Sequence, residues 1–371
     1  MILGKKVRLF PSKSQEQKLW QSVGTARFVY NWTIERQEEN YNDGGKFISD
    51  GDLRKELTQL KKTELNWLYE VSNNVAKQAV KDACNAYKRF FKGLSDKPKF
   101  KSRRKSKKSF YNDTDKLKVK EGNLVLIEKV GWIKTNEQLP IGVKYINPRI
   151  SYDNKYWYIS VGIEQEEIKE DLTEVSLGID LGLKNLAICS DGTVYKNINK
   201  TCEVRKIEKR LKRLQKQVSR KYEKNKNGKE YVKTKNIIKL EKKIQQTYRR
   251  LANIRNNHLH QTTTSIVRTK PCRIVIEDLN VNGMMKNKHL SDAIRKQCFA
   301  EFRRQLEYKC AFRGIKLVVA DRFYPSSKTC SQCGKVKKDL KLKDRVYKCS
   351  CGLTMDRDLN ASINLSKYKL A

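Results

Sequence analysis

Four cysteines constrain the fold of this chain more than any other feature of its sequence. Cys330 and Cys333 are separated by two residues, and Cys349 and Cys351, which follow after fifteen more, are separated by one. Thiolates paired in this way are typical of a tetrahedral Zn²⁺ site, although the second pair is closer than the usual two-residue spacing. Because four thiolates leave no open coordination position, we expect a structural zinc ion and a small zinc ribbon over residues 325–353.

The charge balance predicts a polyanionic partner. The chain has 81 lysines and arginines against 41 aspartates and glutamates, a net charge of +40, and the basic residues are spread over all regions. Nucleic acid is the partner that best offsets the self-repulsion of such a chain. A highly soluble basic protein or a membrane-surface binder is the alternative, although a membrane binder gathers its basic residues in a tail or an amphipathic helix.

Membrane insertion and export are not expected. Hydrophobic residues make up 38% of the chain and charged residues 33%, and no stretch approaches the roughly 18 consecutive apolar residues of a spanning helix. The N-terminus becomes charged at Lys5, before the apolar core of a signal peptide can form. We therefore expect a cytoplasmic protein. Six further cysteines occur singly and are predicted to be core thiols, namely Cys84, Cys189, Cys202, Cys272, Cys298 and Cys310.

The first 170 residues contain a helical segment between stretches of strand-like sequence. Residues 1–12 alternate like a strand, and residues 13–95 carry apolar residues at helical spacing with basic residues elsewhere, which predicts a helical lobe that faces phosphates. Residues 96–170 contain short β-rich pieces between Gly, Asn and Asp turns. We predict a β-barrel or sheet that the N-terminal strand joins, followed by an acidic linker at residues 164–171.

The next part of the chain alternates strands and helices. A strand at residues 175–179 opens an α/β domain over residues 171–324. A helical insertion at residues 201–268 carries two apolar stripes with a break between them, as expected of a helical hairpin. Further strands are predicted at residues 273–276 and 315–320, with one helix of about twenty residues between them.

Three carboxylates occupy positions from which they can converge. Asp180 lies in an apolar strand, Glu277 ends another, and Asp358 opens a C-terminal helix predicted over residues 354–371. Each alone is better explained as a strand-end or helix-capping acid, but together they are typical of a site for two Mg²⁺ ions, about 3.5–4 Å apart, that hydrolyses phosphodiesters. The chain has only three histidines, which argues against a histidine-based nuclease or protease.

Short motifs of one known family are distributed over nearly the whole chain. The most diagnostic lie at residues 323–334, which include the first two cysteines, and at 356–361. The other matching segments are residues 8–11, 26–31, 86–91, 178–182, 276–279 and 303–306. Together they resemble the TnpB family of transposon-encoded RNA-guided nucleases, the compact relatives of type V CRISPR effectors.

The resemblance implies a multidomain α/β protein in which a β-barrel, called the wedge domain, is split by a helical recognition lobe. It also implies an RNase H-like (RuvC) nuclease domain with an inserted helical hairpin and a zinc ribbon. In that domain Asp180, Glu277 and Asp358 would be catalytic and would bind Mg²⁺, with Asp358 rather than Asp356 in the third catalytic position.

The same resemblance implies the partners and the setting of the reaction. A transcript from the transposon end would serve as guide RNA and would find the double-stranded target DNA by base pairing, while the protein reads a short flanking motif. The protein is expected in the prokaryotic cytoplasm, and at the nucleoid when it is bound to DNA.

Seven further residues are predicted to contact nucleic acid. They are Lys77, Gln78, Lys81, Arg103, Arg104, Lys328 and Arg357. Two alternative functions stay open. One is an RNA-guided DNA-binding repressor without cleavage, which the presence of all three acids argues against. The other is an RNA-independent transposase or resolvase, which would not need the helical lobe and the barrel.

Overall fold

A computed structural model describes residues 1–166, 170–341 and 344–369 of the chain. Outside the described residues lie 167–169 in the predicted linker, 342–343 in the predicted ribbon and 370–371 at the end of the predicted C-terminal helix. The chain forms two compact units, residues 1–165 and 166–371. Within the described ranges, every helix is too short or too polar to span a lipid bilayer.

The first unit is an antiparallel sheet with a helical lobe inserted after its first strand. Its elements are β1 (Ile2–Phe10), α1 (Lys13–Asn42), α2 (Asp50–Lys62), a 3-10 turn (Asn66–Glu70), α3 (Asn73–Phe91), β2 (Lys108–Tyr111), β3 (Lys118–Lys120), β4 (Leu124–Ile127), β5 (Gly131–Thr135), β6 (Tyr145–Tyr152) and β7 (Trp157–Glu164). The strand order is β2-β6-β7-β1-β5-β4-β3. The N-terminal strand therefore lies at the centre of the sheet, paired with β7 and β5.

The predicted β-barrel is wrong, and the alternative of a sheet is correct. Among the described strands, β2 and β3 are the two edges of the sheet and do not pair with each other. These strands have four and three residues, so they offer few backbone hydrogen bonds for closure, which requires tilted, matched strands around the whole circumference. Alternating hydrophobicity predicts strands, but it does not distinguish an open sheet from a closed one.

The helical lobe begins at a capping box that the sequence encodes. The Gln15 amide donates to Ser12 Oγ at 3.3 Å, and the Ser12 amide donates to Gln15 Oε1 at 3.0 Å, so two free donors at the start of α1 are paired. The apolar faces of α1, α2 and α3 meet in a core that includes the fully buried Ile34, Leu53 and Val80. Each such side chain contributes about 1.5–3 kcal/mol by leaving water.

The second unit is a mixed sheet with helices on both faces. Its elements are β8 (Thr173–Leu181), β9 (Asn185–Cys189), β10 (Val194–Lys196), a 3-10 turn (Ile198–Lys200), α4 (Cys202–Lys224), β11 (Lys226–Asn227), β12 (Glu230–Tyr231), α5 (Lys235–Arg268), β13 (Pro271–Glu277), α6 (Val281–Met285), α7 (Ser291–Gln297), α8 (Phe299–Arg313), β14 (Lys316–Ala320), β15 (Val346–Lys348), β16 (Thr354–Asp356) and α9 (Arg357–Ser366). The order of the larger sheet is β10-β9-β8-β13-β14. Strands β8, β9 and β10 are antiparallel neighbours, whereas β13 is parallel to both β8 and β14.

Strand β13 shows why this part of the sequence is continuously apolar. Ile274 and Ile276 pack with residues of α5 and α8 on one face, such as Ile266 and Phe302, whereas Val275 packs with Leu365 of α9 on the other. All three strand residues are fully buried. A strand covered on both faces needs an apolar side chain at every position, and it can place a carboxylate only where the covering ends.

The predicted helical hairpin is present as α4 and α5. Val204, Ile207 and Leu211 of α4 pack against Leu251 of α5. Polar pairs continue along the same seam, among them Arg255 Nη2 with Glu208 Oε1 at 2.8 Å. The short strands β11 and β12 pair at the tip, where the sequence predicted a break.

Two smaller predictions differ from the structure. Instead of one helix of about twenty residues between β13 and β14, the chain forms α6, α7 and α8, because Cys298 adopts a left-handed conformation (φ 55°) between the last two. Among the six single cysteines predicted to be core thiols, Cys84, Cys189 and Cys310 are buried, whereas Cys202 is exposed at the start of α4.

Candidate active site

Asp180 and Glu277 lie side by side on two parallel strands. Ile179 of β8 is the register partner of Ile276 of β13, so the residues that follow them reach the same end of the sheet. Both acids are partly buried, and their carboxyl groups are hydrogen-bonded to each other. The structure thus brings together the first two acids predicted from the sequence.

The electrostatics of this pair favour binding of a cation. Burial and the neighbouring Glu277 raise the pKa of Asp180 well above its ordinary value, and the charge of Asp358 acts in the same direction. The Arg357 guanidinium opposes the shift. A hard divalent cation would oppose the raised pKa of Asp180, because it places positive charge beside the carboxyl group.

Helix α9 lies directly on β8 because Gly178 has no side chain. A Cβ atom at this buried position would lie 2.0 Å from the Ser362 carbonyl oxygen and 2.4 Å from the Ser366 amide nitrogen. Two donors fix the C-terminal end of the helix, since Ser176 Oγ and Arg273 Nη2 both bond to the Ser366 carbonyl oxygen at 2.7 and 2.9 Å.

This attachment carries Asp358 towards Asp180. From Ser366 back to Asp358 the helix rises about 12 Å, and from Ser176 forward to Asp180 the strand rises about 13 Å. Because the two elements are bonded at Ser366 and Ser176, their opposite ends, which carry the acids, lie at the same edge of the sheet. The charge of Asp358 that acts on Asp180 agrees with this placement.

The structure separates the roles of the two acids at the start of α9. Asp356 is the N-cap, and its side chain accepts hydrogen bonds from the amides of Asp358 and Leu359 at 2.9 and 3.2 Å. Asp358 lies in the first helical turn and is partly buried. Asp356 therefore completes the helix terminus, and Asp358 is the acid whose side chain is not used for capping.

The four predicted cysteines converge on one point. Their sulfur atoms all lie within 4.8 Å of one another and could hold a metal ion. Cys330 Sγ is 3.6 Å from Cys351 Sγ, and Cys333 Sγ is 3.6 Å from Cys349 Sγ. A tetrahedral ion with metal–sulfur bonds of about 2.3 Å separates its ligands by about 3.8 Å, so the spacing fits such an ion.

Two buried asparagines join the cysteine cluster to α9. The Asn360 side chain accepts from the Ser331 amide at 3.0 Å and donates to the Thr329 carbonyl at 2.7 Å. Asn364 donates to the Ser326 and Thr329 carbonyls at 2.7 and 2.6 Å. The segment that enters the cluster is therefore bonded to the same helix that carries Asp358.

The residues predicted to contact nucleic acid are divided between the two units. Lys77, Lys81 and Arg104 are exposed, as is Lys328. Gln78 and Arg103 line a common cavity of about 260 Å³ in the first unit, together with Arg27, Lys101, Lys108 and other residues. Arg357 is not a free surface cation, because its guanidinium donates to the Lys341 carbonyl at 3.0 Å and to Ser327 Oγ at 3.3 Å.

Sequence reasoning missed two sets of ion pairs near these residues. Arg149 makes a bidentate bond to Asp82 (2.7 and 2.9 Å), and Gln78 Nε2 also donates to Asp82. Asp278, the neighbour of the predicted Glu277, is bonded by Arg322 at 2.5 Å and by Arg303 at 3.5 Å. The sequence gives no local signal for these pairs, because the partners lie far apart along the chain. Arg149 and Asp82, for example, are separated by 67 residues.

Family models match three stretches of the chain. Residues 158–288 match a model described as a probable transposase, and residues 299–365 match the Cas12f1-like TNB domain. Residues 1–46 match a model described as a helix-turn-helix domain, although here they contain β1 and the single long helix α1.

Relatives extend over nearly the whole chain. A protein of Streptomyces pristinaespiralis described as a candidate RNA-guided DNA endonuclease is 33% identical, over 99% of this chain and 89% of that protein. The InsQ protein of Escherichia coli, described in the same words, is 32% identical over 97% of this chain and 90% of its own length. A TnpB-like protein of Acanthamoeba polyphaga mimivirus is 26% identical over 100% of this chain and 74% of its own.

Solved structures share the fold. A Cas12f1–sgRNA–target DNA complex gives a TM-score of 0.58 at 14% sequence identity, over 95% of this chain and 82% of that chain. The mini RNA-guided endonuclease CRISPR-Cas-phi3 gives a TM-score of 0.54 at 11% identity, over 99% of this chain and 92% of that chain.

Proposed function

The chain belongs to the TnpB family of RNA-guided DNA endonucleases, and on this premise we propose that it cuts target DNA with Mg²⁺ held by Asp180, Glu277 and Asp358. The observation that carries this proposal is the pairing of Asp180 with Glu277 at one sheet end, with Asp358 brought to the same end by α9. Carboxylate oxygens are the ligands that Mg²⁺ prefers.

The fold of the second unit supports an RNase H-like (RuvC) nuclease domain. Three antiparallel strands are followed by two parallel ones, and Asp180 and Glu277 lie at the same end of the neighbouring strands β8 and β13. The insertion α4–α5 and the cysteine-bearing segment are the hairpin and the ribbon of that domain. The first unit then supplies the wedge sheet, residues 1–12 and 96–165, and the recognition lobe, residues 13–95.

The chain's own residues prepare the site for phosphodiester hydrolysis. Burial and the neighbouring Glu277 raise the pKa of Asp180, so positive charge beside Asp180 would favour its ionised form. Arg357 keeps a positive charge near Asp180, and its bonds to Lys341 and Ser327 fix its position. Bound Mg²⁺ would supply an activated water and charge stabilisation of the leaving 3′ oxygen.

The partners follow from the family and from the charge. A net charge of +40 suits contacts to the backbones of a guide RNA and of double-stranded target DNA. The guide would come from the transposon end and would select the target by pairing. Gln78 and Arg103, two of the five residues of the first unit predicted to contact nucleic acid, line the same cavity.

The four-cysteine cluster is proposed to hold a structural Zn²⁺. The sulfur spacing of 3.6 Å and the softness of four thiolates fit zinc, and the set leaves no position for a substrate.

The nuclease assignment is tested with Asp180→Asn. We expect loss of plasmid cutting by the protein with its RNA and Mg²⁺, with RNA and target binding unchanged, because the substitution removes a ligand and leaves the backbone contacts. Asp191→Asn is the matched control, since Asp191 Oδ1 accepts a hydrogen bond from the Thr193 amide in the β9–β10 turn and is not one of the three acids. Cutting that persists in Asp180→Asn would refute the site.

RNA dependence separates the proposal from an RNA-independent transposase or resolvase. Protein freed of copurified nucleic acid should lose sequence-directed cutting and should regain it when its RNA is added back.

For the zinc site, a Cys330→Ser and Cys333→Ser protein should lose bound zinc, whereas Cys202→Ser, at an exposed thiol outside the cluster, should retain it. Unchanged zinc content in the double variant would rule out the ribbon assignment.

A further inference from the structure

A second cavity of the first unit is lined by aromatic side chains. It has a volume of about 480 Å³ and lies between the end of α1, the loop before α2 and the last turns of α3. Its walls include Tyr41, Phe47, Tyr87, Phe90 and Phe91. Cavities of this size commonly hold small ligands, and the nuclease site proposed above uses none of these residues.

The rings form one connected group with Phe91 at its centre. Phe91 contacts Phe47, Tyr87 and Phe90 with centroid distances of 5.6, 6.0 and 5.7 Å. Nevertheless 62% of Phe91 and 78% of Tyr41 are exposed to solvent. Aromatic faces that are grouped and left in water are unusual on a polar surface, and they are typical of binding sites.

The loop that carries Phe47 is held in place. The Gly45 amide donates to the Asn40 carbonyl at 2.8 Å, and Asn40 Nδ2 donates to the Lys46 carbonyl at 2.6 Å. A Cβ atom on Gly45 would lie 2.4 Å from Asn40 Oδ1. The ring of Phe47 is therefore positioned before any ligand arrives, which lowers the entropy lost on binding.

Tyr87 supports the ring group from the protein side. The residue is 5% exposed, and its hydroxyl is buried without a hydrogen-bond partner in the part of the chain that the structure describes. Burial raises the pKa of Tyr87 to about 12, so the hydroxyl keeps its proton at neutral pH. Because this oxygen is shielded from solvent, the ring of Tyr87 rather than its hydroxyl contributes to the cavity wall.

Exposed cations flank the aromatic residues of the cavity in the chain and are called its basic rim. Lys46 precedes Phe47 in the loop before α2, Lys88 follows Tyr87 in the last turn of α3, and Lys92 follows Phe91 at its C-cap. Lys97 lies in the cavity wall, where it pairs with Glu38 at 3.0 Å. Cations around a group of aromatic faces match the two parts of a nucleotide, its phosphate and its base.

We propose that this aromatic cavity binds an unpaired base of single-stranded nucleic acid, with Phe91 as the stacking face and the α3 cations on the adjoining phosphates. Stacking on a ring is tolerant of base identity, because every base has a π face. The inference rests on the proposed nucleic-acid function, but it concerns a site in the other unit from the three acids.

A second copy of the chain fits this surface less well. Two such faces would bring the same basic rims together, and like charges across an interface are unfavourable. A polyanion lowers the repulsion that a second copy would increase. Nucleic acid is therefore the occupant that the charges favour.

The test measures base-dependent binding by the full-length protein. The probe is a single-stranded oligomer of abasic nucleotides that carries one 2-aminopurine, whose fluorescence falls when the base stacks. The reference is an oligomer of equal length in which every position is abasic. At about 0.3 M salt, where phosphate contacts weaken, we expect the wild-type protein to bind the probe about 5- to 150-fold more tightly than the reference.

The substitution Phe91→Ala should remove this preference and the fluorescence change, and Phe91→Trp should retain both. Leu94→Ala is the matched control, because Leu94 is equally exposed at 62% but has no ring, so its loss should leave the preference intact. Thermal melting of each variant verifies folding, and Phe91→Trp keeps the test valid if Phe91→Ala does not fold.

Three results would overturn the proposal: a wild-type protein without base preference, a Phe91→Ala protein that keeps it, or a wild-type dimer that Phe91→Ala converts to a monomer. The first two leave the nuclease proposal untouched if the wild type still cuts DNA. Conversely, Asp180→Asn should keep the base preference, and a wild-type protein that shows the preference but does not cut DNA would refute the nuclease proposal alone.

Discussion

Gly178 and Ser362 are so close that only a hydrogen fits between them. A Cβ atom on Gly178 would lie 2.0 Å from the Ser362 carbonyl oxygen, and both neighbours belong to regular elements, the strand β8 and the helix α9. Because the contact is backbone against backbone, neither side can give way by rotating a side chain.

Gly178→Ala should therefore move α9 away from the sheet. We expect destabilisation of about 1–3 kcal/mol, as for other overpacked cores, and loss of DNA cutting because Asp358 moves with the helix. Denaturant unfolding and a plasmid cleavage assay measure the two effects. Gly24→Ala is the control, since nothing lies within 4 Å of a Cβ atom there, and equal behaviour of the two variants would contradict the prediction.

Asp356 and Asp358 should respond differently to substitution although they are two residues apart. Asp356→Ala removes the N-cap of α9 and should cost about 0.5–2 kcal/mol, whereas Asp356→Asn, which can still cap, should be nearly neutral. Asp358→Asn should abolish cutting with little change in stability. The assignment fails if Asp358→Asn cuts normally while Asp356→Asn does not.

The bonds from Asn360 should couple the ribbon to DNA cutting. Asn360→Ala leaves the Ser331 amide and the Thr329 carbonyl without this partner, at a cost of about 1–3 kcal/mol, and it should reduce the cutting rate without loss of bound zinc. Asn257→Ala, at an exposed position of α5, should be within about 0.5 kcal/mol of wild type. Zinc analysis and cleavage rates on the same samples test the coupling, and full activity of Asn360→Ala would contradict it.

Lys309 should make stability depend on pH in the alkaline range. Its ammonium group donates to Thr263 Oγ1, Thr264 Oγ1 and the His260 carbonyl at 2.6–2.9 Å, and burial lowers its pKa to about 8. Between this value and the unfolded value of about 10.4, the unfolded chain binds more protons, so the stability contribution rises with pH.

Relative to Lys309→Met, the wild type should therefore gain stability as the pH rises from 8 to about 10. Unfolding midpoints measured at each pH test this expectation, with Lys316→Met, at an exposed lysine of β14, as the reference. A difference between wild type and Lys309→Met that is constant with pH would show that the group does not titrate in this range.

The three acids could be proposed from the sequence because their physical signal is local. Apolar runs that end on a carboxylate, as at Glu277, are readable from neighbours along the chain, and so is the spacing of the four cysteines. The sequence did not predict that Asp356 rather than Asp358 caps α9, since both acids lie at the start of the helical pattern. Only the resemblance distinguished them, by placing Asp358 in the third catalytic position.

What the sequence did not reveal depends on contacts between distant residues. The bond of Arg149 to Asp82 spans 67 residues, and the close approach at Gly178 depends on a helix more than 180 residues later. The open edges β2 and β3 also have no local signature, because strand patterns are the same in open and closed sheets. The left-handed conformation of Cys298 divides the predicted helix. It could not be predicted from the residue type, because cysteine is not among the non-glycine residues enriched at positive φ.

The order of the three acids along the chain has a consequence during protein synthesis. Asp180 and Glu277 leave the ribosome first, on β8 and β13, and α9 follows about 80 residues after Glu277. Until α9 has emerged and packed against Gly178, the nascent chain lacks one of the three proposed ligands, whereas the whole first unit is already available to fold. Under the proposed assignment of the three acids, a newly made copy cannot cut DNA during translation, and it becomes able to cut only after α9 has docked.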